Sequence, residues 1–212
     1  RLSASQPQLP RGISDDTIEA VHEALYVRRG DPRAAPVRLV AATELTGAWH
    51  EGGRTVLQWR STENHRVRET VTDAVVAAAE PVVQWLRDES LQHTHVILLG
   101  FSQGMAIATT VARHAPDLVD AVVGLSGFVV PVADDDAQAN FFHDAALRDE
   151  PLRMFWGRDP EDPVIPPALV DLTAEWAQQH ADATKVQYRG IGHGVSPQEL
   201  SHVSEYLRAL TD

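Results

Sequence analysis

Apolar residues along the chain fall into two alternating patterns. Short unbroken runs occur at His95-Val96-Ile97-Leu98-Leu99, at Asp120-Ala121-Val122-Val123-Gly124-Leu125-Ser126 and at Leu152-Arg153-Met154-Phe155-Trp156-Gly157. Runs of this length suit strands buried on both faces. Weaker candidates are Val37–Ala42, a short extended piece at Thr55–Trp59, and a last strand at Thr184–Arg189. Between these lie longer segments with helical spacing. Over 67–89, Val71, Val75, Val76, Ala79, Val82, Val83 and Leu86 fall on one face, and Pro81 is expected to kink the helix. Met105–His114 is alanine-rich and is stopped by Pro116. Further helices are expected over 166–180 and 196–210, and near 15–29, where Ser14-Asp15-Asp16 offers caps and Gly30 and Pro32 terminate.

Residues 1–12, rich in Pro, Ser and Gln, read as an extended lead-in, Trp49–Gly53 as a loop, and 127–149 as a mostly loop-like excursion with a helical turn near Phe141. Strands alternating with helices predict an α/β fold with a mostly parallel central sheet and helices on both faces. Neither a repeat nor a linker breaks the pattern, so one domain over 1–212 is expected, without a separate cap domain.

The junction between the strand at 95–99 and the helix at 105–114 reads Gly100-Phe101-Ser102-Gln103-Gly104. A G-x-S-x-G pentapeptide between strand and helix is a nucleophile elbow. Its turn is so tight that the serine takes a strained backbone, which lifts the hydroxyl clear at the N-terminus of a helix. A serine hydroxyl needs a base within hydrogen-bond reach, and the base needs a carboxylate to fix its tautomer. On this kind of sheet the chain order is Ser, then acid, then His. After the strand ending at Gly157 come Asp159, Glu161 and Asp162; after the last strand comes Gly192-His193-Gly194. Both are loops at the carboxyl ends of strands, where open parallel sheets build their sites. His193, flanked by glycines, stands apart by position from the other histidines.

These motifs resemble the phospholipase/carboxylesterase group of α/β-hydrolases, which includes the acyl-protein thioesterases. The resemblance rests on Leu98-Leu99-Gly100-Phe101-Ser102-Gln103-Gly104-Met105-Ala106, Leu125-Ser126-Gly127-Phe128, Asp162-Pro163-Val164-Ile165-Pro166 and Gly192-His193-Gly194, and covers about residues 67–210. It implies the α/β-hydrolase fold, with Ser102 as nucleophile, His193 as base and Asp162 as acid. The family pattern places the acid directly before the Pro-x-x-Pro stretch, which favours Asp162 over the competing Asp159. The backbone amide of Gln103, next after the nucleophile, is one oxyanion donor. Members usually carry an early His-Gly that completes the hole; no His-Gly precedes Ser102, and the second donor is unknown. Trp49, Phe128, Val129, Val130, Val164 and Ile165 are candidates for an acyl pocket. The implied activity is a metal- and cofactor-free serine carboxylesterase acting on small or medium acyl esters or thioesters. An acyltransferase or pathway thioesterase with the same triad is the enzymatic alternative, and a non-catalytic binding protein retaining the fold is the alternative from another class.

Composition narrows the partners. The 212 residues carry a formal charge of −12 and no cysteine. That excludes disulfides and thiol catalysis and argues against nucleic acid, which needs a basic footprint. No run approaches the roughly 18 apolar residues of a membrane span. The N-terminus lacks the apolar core of a signal peptide, so a cytoplasmic address is expected. A homodimer is compatible with the sequence. Asp134-Asp135-Asp136 is expected to be a solvated loop.

Overall fold

The computed structural model describes residues 38–41, 47–51, 54–58, 71–89, 95–132 and 140–211. The lead-in, the helix expected near 15–29 and Asp134–Asp136 lie outside the described residues.

Among the described residues, seven strands form one sheet in the order β2-β3-β1-β4-β5-β6-β7. The strands are β1 (Arg38–Ala41), β2 (Gly47–Glu51), β3 (Arg54–Gln58), β4 (Val96–Phe101), β5 (Ala121–Leu125), β6 (Leu152–Arg158) and β7 (Ala181–Gln187). All neighbours run parallel except β2, which pairs antiparallel with β3 from Gly47↔Gln58 to Glu51↔Arg54. This corrects the reading of Trp49–Gly53 as a loop: Trp49 pairs with Val56 within the β2–β3 ladder. The helices are α1 (Val71–Glu89), which continues through Pro81, α2 (Gln103–His114), the one-turn α3 (Ala146–Asp149), α4 (Pro167–His180) and α5 (Pro197–Thr211).

Strand alternation sorts the core into two layers. Val96, Leu98, Val122, Met154 and Trp156 pack with α1, α2 and α4 through Val75, Val82, Met105, Val111, Trp176 and Ala177. Their neighbours Ile97, Leu99, Val123, Leu125 and Phe155 point the other way, onto Leu200, Val203 and Leu207 of α5. A period-two side chain direction thus feeds both faces of a sheet whose strands β4 and β5 are fully apolar. Among the described residues, no helix is long and apolar enough to cross a membrane.

Registry aligns the carboxyl ends of the central strands. Phe101 sits opposite Leu125, and Leu125 opposite Gly157. Backbone bonds carry the ladder one residue further: the Ser102 amide donates to the Leu125 carbonyl at 2.8 Å, and the Ser126 amide to the Gly157 carbonyl at 2.8 Å. Residues that leave these strands therefore meet along one edge.

Candidate active site

Ser102 occupies the turn between β4 and α2 with φ 56° and ψ −123°. A positive φ is costly for a residue with a Cβ, on the order of 1–3 kcal/mol, and persists only where the surroundings enforce it. Here they do. A Cβ on Gly100 would run into the carbonyl carbon and oxygen of Gly104, so strand and helix close on each other only because Gly100 has no side chain. Gln103 opens α2, so its amide is among the first-turn N–H groups that an α-helix leaves without an internal partner.

Ser102, His193 and Asp162, from three different loops, form one line of hydrogen bonds. Ser102 Oγ lies 2.9 Å from His193 Nε2. His193 Nδ1 lies 2.8 Å from Asp162 Oδ2. With the proton on Nδ1, the imidazole donates to the carboxylate and accepts from the serine hydroxyl. The Asp162 side chain is fully buried and that of His193 is 18% exposed, so the imidazole reaches solvent while the carboxylate it meets stays dry. Asp162 Oδ1 accepts the amides of Val164 at 2.8 Å and Ile165 at 3.4 Å, which fixes the carboxylate plane. The Phe101 ring packs against the imidazole, centroids 5.0 Å apart.

Asp159, the competing acid, uses its oxygens elsewhere. Oδ1 accepts the Glu161 amide at 2.9 Å and Oδ2 the Gly192 amide at 2.7 Å. These backbone donors, the Glu161 amide foremost, hold its carboxyl below the usual carboxylate range, against the opposing effect of burial.

The residues named for an acyl pocket are placed unevenly. Phe128, Val129, Val130 and Ile165 are buried in the core layer beneath α1 and α2, so they support the edge rather than expose an apolar surface. Three side chains bind the backbone of this segment: Arg113 reaches the Val130 carbonyl at 2.9 Å, Thr72 the Pro131 carbonyl at 3.0 Å, and Thr173 accepts the Val129 amide at 2.9 Å. Val164 is 56% exposed on the same loop as Asp162. The Trp49 side chain lies outside the described residues.

Two contributions escaped the sequence reading. Ser126, known only as part of Leu-Ser-Gly, is buried and donates from Oγ to the Gly194 carbonyl at 2.9 Å. Glu199, an ordinary first-turn acid by sequence, is buried with Oε1 against Gly157.

Comparison with known proteins places the chain, through its sequence and its fold. Acyl-protein thioesterase 1 of Gibberella zeae is 29% identical over 131 residues, 60% of this chain and 53% of that protein. The chain thus spans about half the length of that relative. Acyl-protein thioesterase 1 of Saccharomyces cerevisiae is 24% identical over 203 residues, 87% of this chain and 83% of that protein. The crystal structure of a Bacillus cereus carboxylesterase superposes with a TM-score of 0.59 at 16% identity, covering 82% of this chain and 88% of that one. A phospholipase/carboxylesterase from Dyadobacter fermentans gives 0.57 at 16% identity, covering 82% and 91%. At such identities the structural likeness establishes the α/β-hydrolase fold. The family model for phospholipase/carboxylesterase matches residues 40–211, which takes in the elbow, both strand-end loops and the last helix. The chain belongs to the phospholipase/carboxylesterase family.

Proposed function

We propose that the protein is a serine carboxylesterase that hydrolyses small or medium acyl esters or thioesters through Ser102, His193 and Asp162. The observation that carries this reading is the unbroken line from Ser102 Oγ to Nε2 at 2.9 Å and from Nδ1 to Asp162 Oδ2 at 2.8 Å. In that line Asp162, with one oxygen on the imidazole, has the role of the acid, and Asp159, spent on backbone amides, does not.

The steps follow from the geometry. Ser102 Oγ attacks the acyl carbonyl as its proton passes to His193 Nε2. The imidazolium that forms is stabilised by the buried Asp162 carboxylate. Negative charge on the former carbonyl oxygen is met by the Gln103 amide and the positive end of α2. Collapse breaks the bond to the alcohol or thiol, which takes the proton from Nε2. Water then adds to the acyl-enzyme with His193 as base, and the second collapse releases the acid and restores the serine hydroxyl. The names of the two relatives, acyl-protein thioesterase 1, support including thioesters in the proposed substrate class. Val164 supplies apolar surface on the acid loop for an acyl chain.

The test is reaction with a fluorophosphonate probe, followed by turnover of p-nitrophenyl esters of increasing chain length. Wild-type protein should label on Ser102 and hydrolyse short and medium esters. Ser102→Ala should lose labelling and nearly all turnover, a fall on the order of 10⁴-fold or more, because triad members act as a unit. Unimpaired hydrolysis by Ser102→Ala would move the chemistry elsewhere, and an unlabelled wild type would favour a binding protein on the same fold.

A further inference from the structure

His193 sits in a segment built for freedom. Gly190 has φ 84° and Gly192 has φ 59°, and Gly194 follows the histidine directly. Glycines sample backbone space that other residues do not, so such a loop specifies the direction of an imidazole poorly by itself. Yet both ring nitrogens must be aimed, one at Ser102 and one at Asp162.

Two buried side chains from two other loops bind this backbone on either side of the histidine. On one side, Asp159 Oδ2 accepts the Gly192 amide at 2.7 Å. On the other, Ser126 Oγ donates to the Gly194 carbonyl at 2.9 Å. Asp159 is 1% exposed and Ser126 0% exposed, so water competes little for either bond. Each clamping residue is itself fixed. The second oxygen of Asp159 accepts the Glu161 amide at 2.9 Å. Ser126 has φ 45°, unusual for a residue with a Cβ, and its amide donates to the Gly157 carbonyl at 2.8 Å. Strain of this kind persists where the fold over-determines a direction, here that of a hydroxyl. Both residues follow strands of the central sheet, β5 and β6, so the clamp references the glycine-rich loop to the same edge that carries Ser102.

We infer that Asp159 and Ser126 are positioning residues for the reaction, which hold His193 in line by gripping the two glycines that flank it, at the Gly192 amide and the Gly194 carbonyl. The inference rests on the serine-hydrolase reading above. It explains why two Asp-Pro pairs lie three residues apart on one loop: one carboxylate serves the imidazole, the other the backbone that carries it.

The test compares Asp159→Asn and Ser126→Ala with wild type in kcat and KM for a short p-nitrophenyl ester, each alone and in a His193→Ala background. An asparagine cannot accept from both amides, and alanine removes the hydroxyl alone. Each variant should lower kcat by about 10- to 100-fold, the range that a displacement near 1 Å can cause, with KM within about twofold. In the His193→Ala background neither should lower the residual turnover further. A folded variant with kcat within twofold of wild type overturns the inference, as does an equal loss in both backgrounds. Should Ser126→Ala fold poorly, Ser126→Gly removes the hydroxyl while accommodating the positive φ. Amide hydrogen exchange on the wild type gives a reading independent of any variant: Gly192 should exchange slowly, and fast exchange would overturn the clamp. A wild type that never labels with fluorophosphonate would sink the hydrolase reading, while the exchange measurement would still decide the clamp.

Discussion

At Ser102 the proposed nucleophile and the strained backbone are the same residue. Its φ of 56° is enforced by the closeness of β4 and α2, while its side chain makes the 2.9 Å contact with His193. The two roles separate on substitution. Ser102→Ala and Ser102→Gly both lose the proposed nucleophile, but only glycine relieves the backbone. Ser102→Gly is therefore expected to be more stable than Ser102→Ala by about 1 kcal/mol, read as the difference in urea midpoints at constant slope. Equal midpoints would show that the elbow holds no strain. The elbow was legible in the sequence because the glycine spacing records a steric demand, which Gly100 meets by lying against Gly104. The acid was less legible. Asp159 and Asp162 each precede a proline, and local sequence does not say which oxygen reaches an imidazole 31 residues away. Family pattern favoured Asp162, the residue the structure sets against His193. Ser126 was invisible for a different reason: its contact with Gly194 spans 68 residues, and a serine after a buried strand has no periodicity to betray it.

At the scale of elements, the start of α5 shows how a local motif becomes a buried one. Ser196 and Glu199 form a capping box: the Glu199 amide donates to Ser196 Oγ at 3.1 Å, and the Ser196 amide to Glu199 Oε2 at 3.4 Å. Such boxes usually face water. This one is driven under β6, where Glu199 is 0% exposed and Oε1 lacks a hydrogen-bond partner. Burial pushes the Glu199 carboxyl up to about 7, with the Ser196 amide pulling the other way; the neighbouring Tyr188 phenol is raised by its own burial first and by Glu199 second. The ordinary value is 4.5, so between 4.5 and about 7 the folded chain holds a proton that the unfolded chain has lost. That contribution to stability is complete below the lower value and disappears as pH rises through the upper one. Glu199→Gln mimics the protonated form at all pH values. Its melting temperature should exceed that of wild type by a few degrees more at pH 8 than at pH 5, and a constant difference would mean that Glu199 does not titrate on unfolding. Elements were read best where burial is two-sided. The edge strand β7 begins at Ala181, directly after α4, three residues earlier than its apolar pattern suggests, because its side chains alternate between half-buried and exposed and leave a faint signal. Strand β3 matches the extended piece expected at Thr55–Trp59, but β2 was missed because His50 and Glu51 broke the apolar run that marks a strand.

At the scale of the molecule, topology brings three loops from separate strand ends to one edge, and charge decides what approaches that edge. The parallel order was legible because unbroken apolar runs alternating with amphipathic helices admit few other architectures. The field around the edge follows from composition: the chain carries −12. Asp159, Glu161 and Asp162 all belong to the loop after β6, and the Arg189 guanidinium 3.7 Å from Glu161 offsets only part of their charge. An anionic acyl group must approach against it, whereas a neutral one need not. The difference should depend on salt, because the screening length contracts from about 30 Å near 0.01 M to about 3 Å near 1 M. For the p-nitrophenyl half-ester of succinate, kcat/KM is expected to start well below that of the neutral butyrate ester and to rise several-fold as salt increases. For the butyrate ester it should change by less than about twofold over the same range. The comparison uses leaving groups of equal chemistry and acyl chains of similar length, so the charge is what differs. A succinate half-ester that is the better substrate at low salt, and loses that advantage as salt rises, would reverse the conclusion. It would mean that a local arginine outweighs the field of the whole chain, and that the natural acyl group carries a carboxylate.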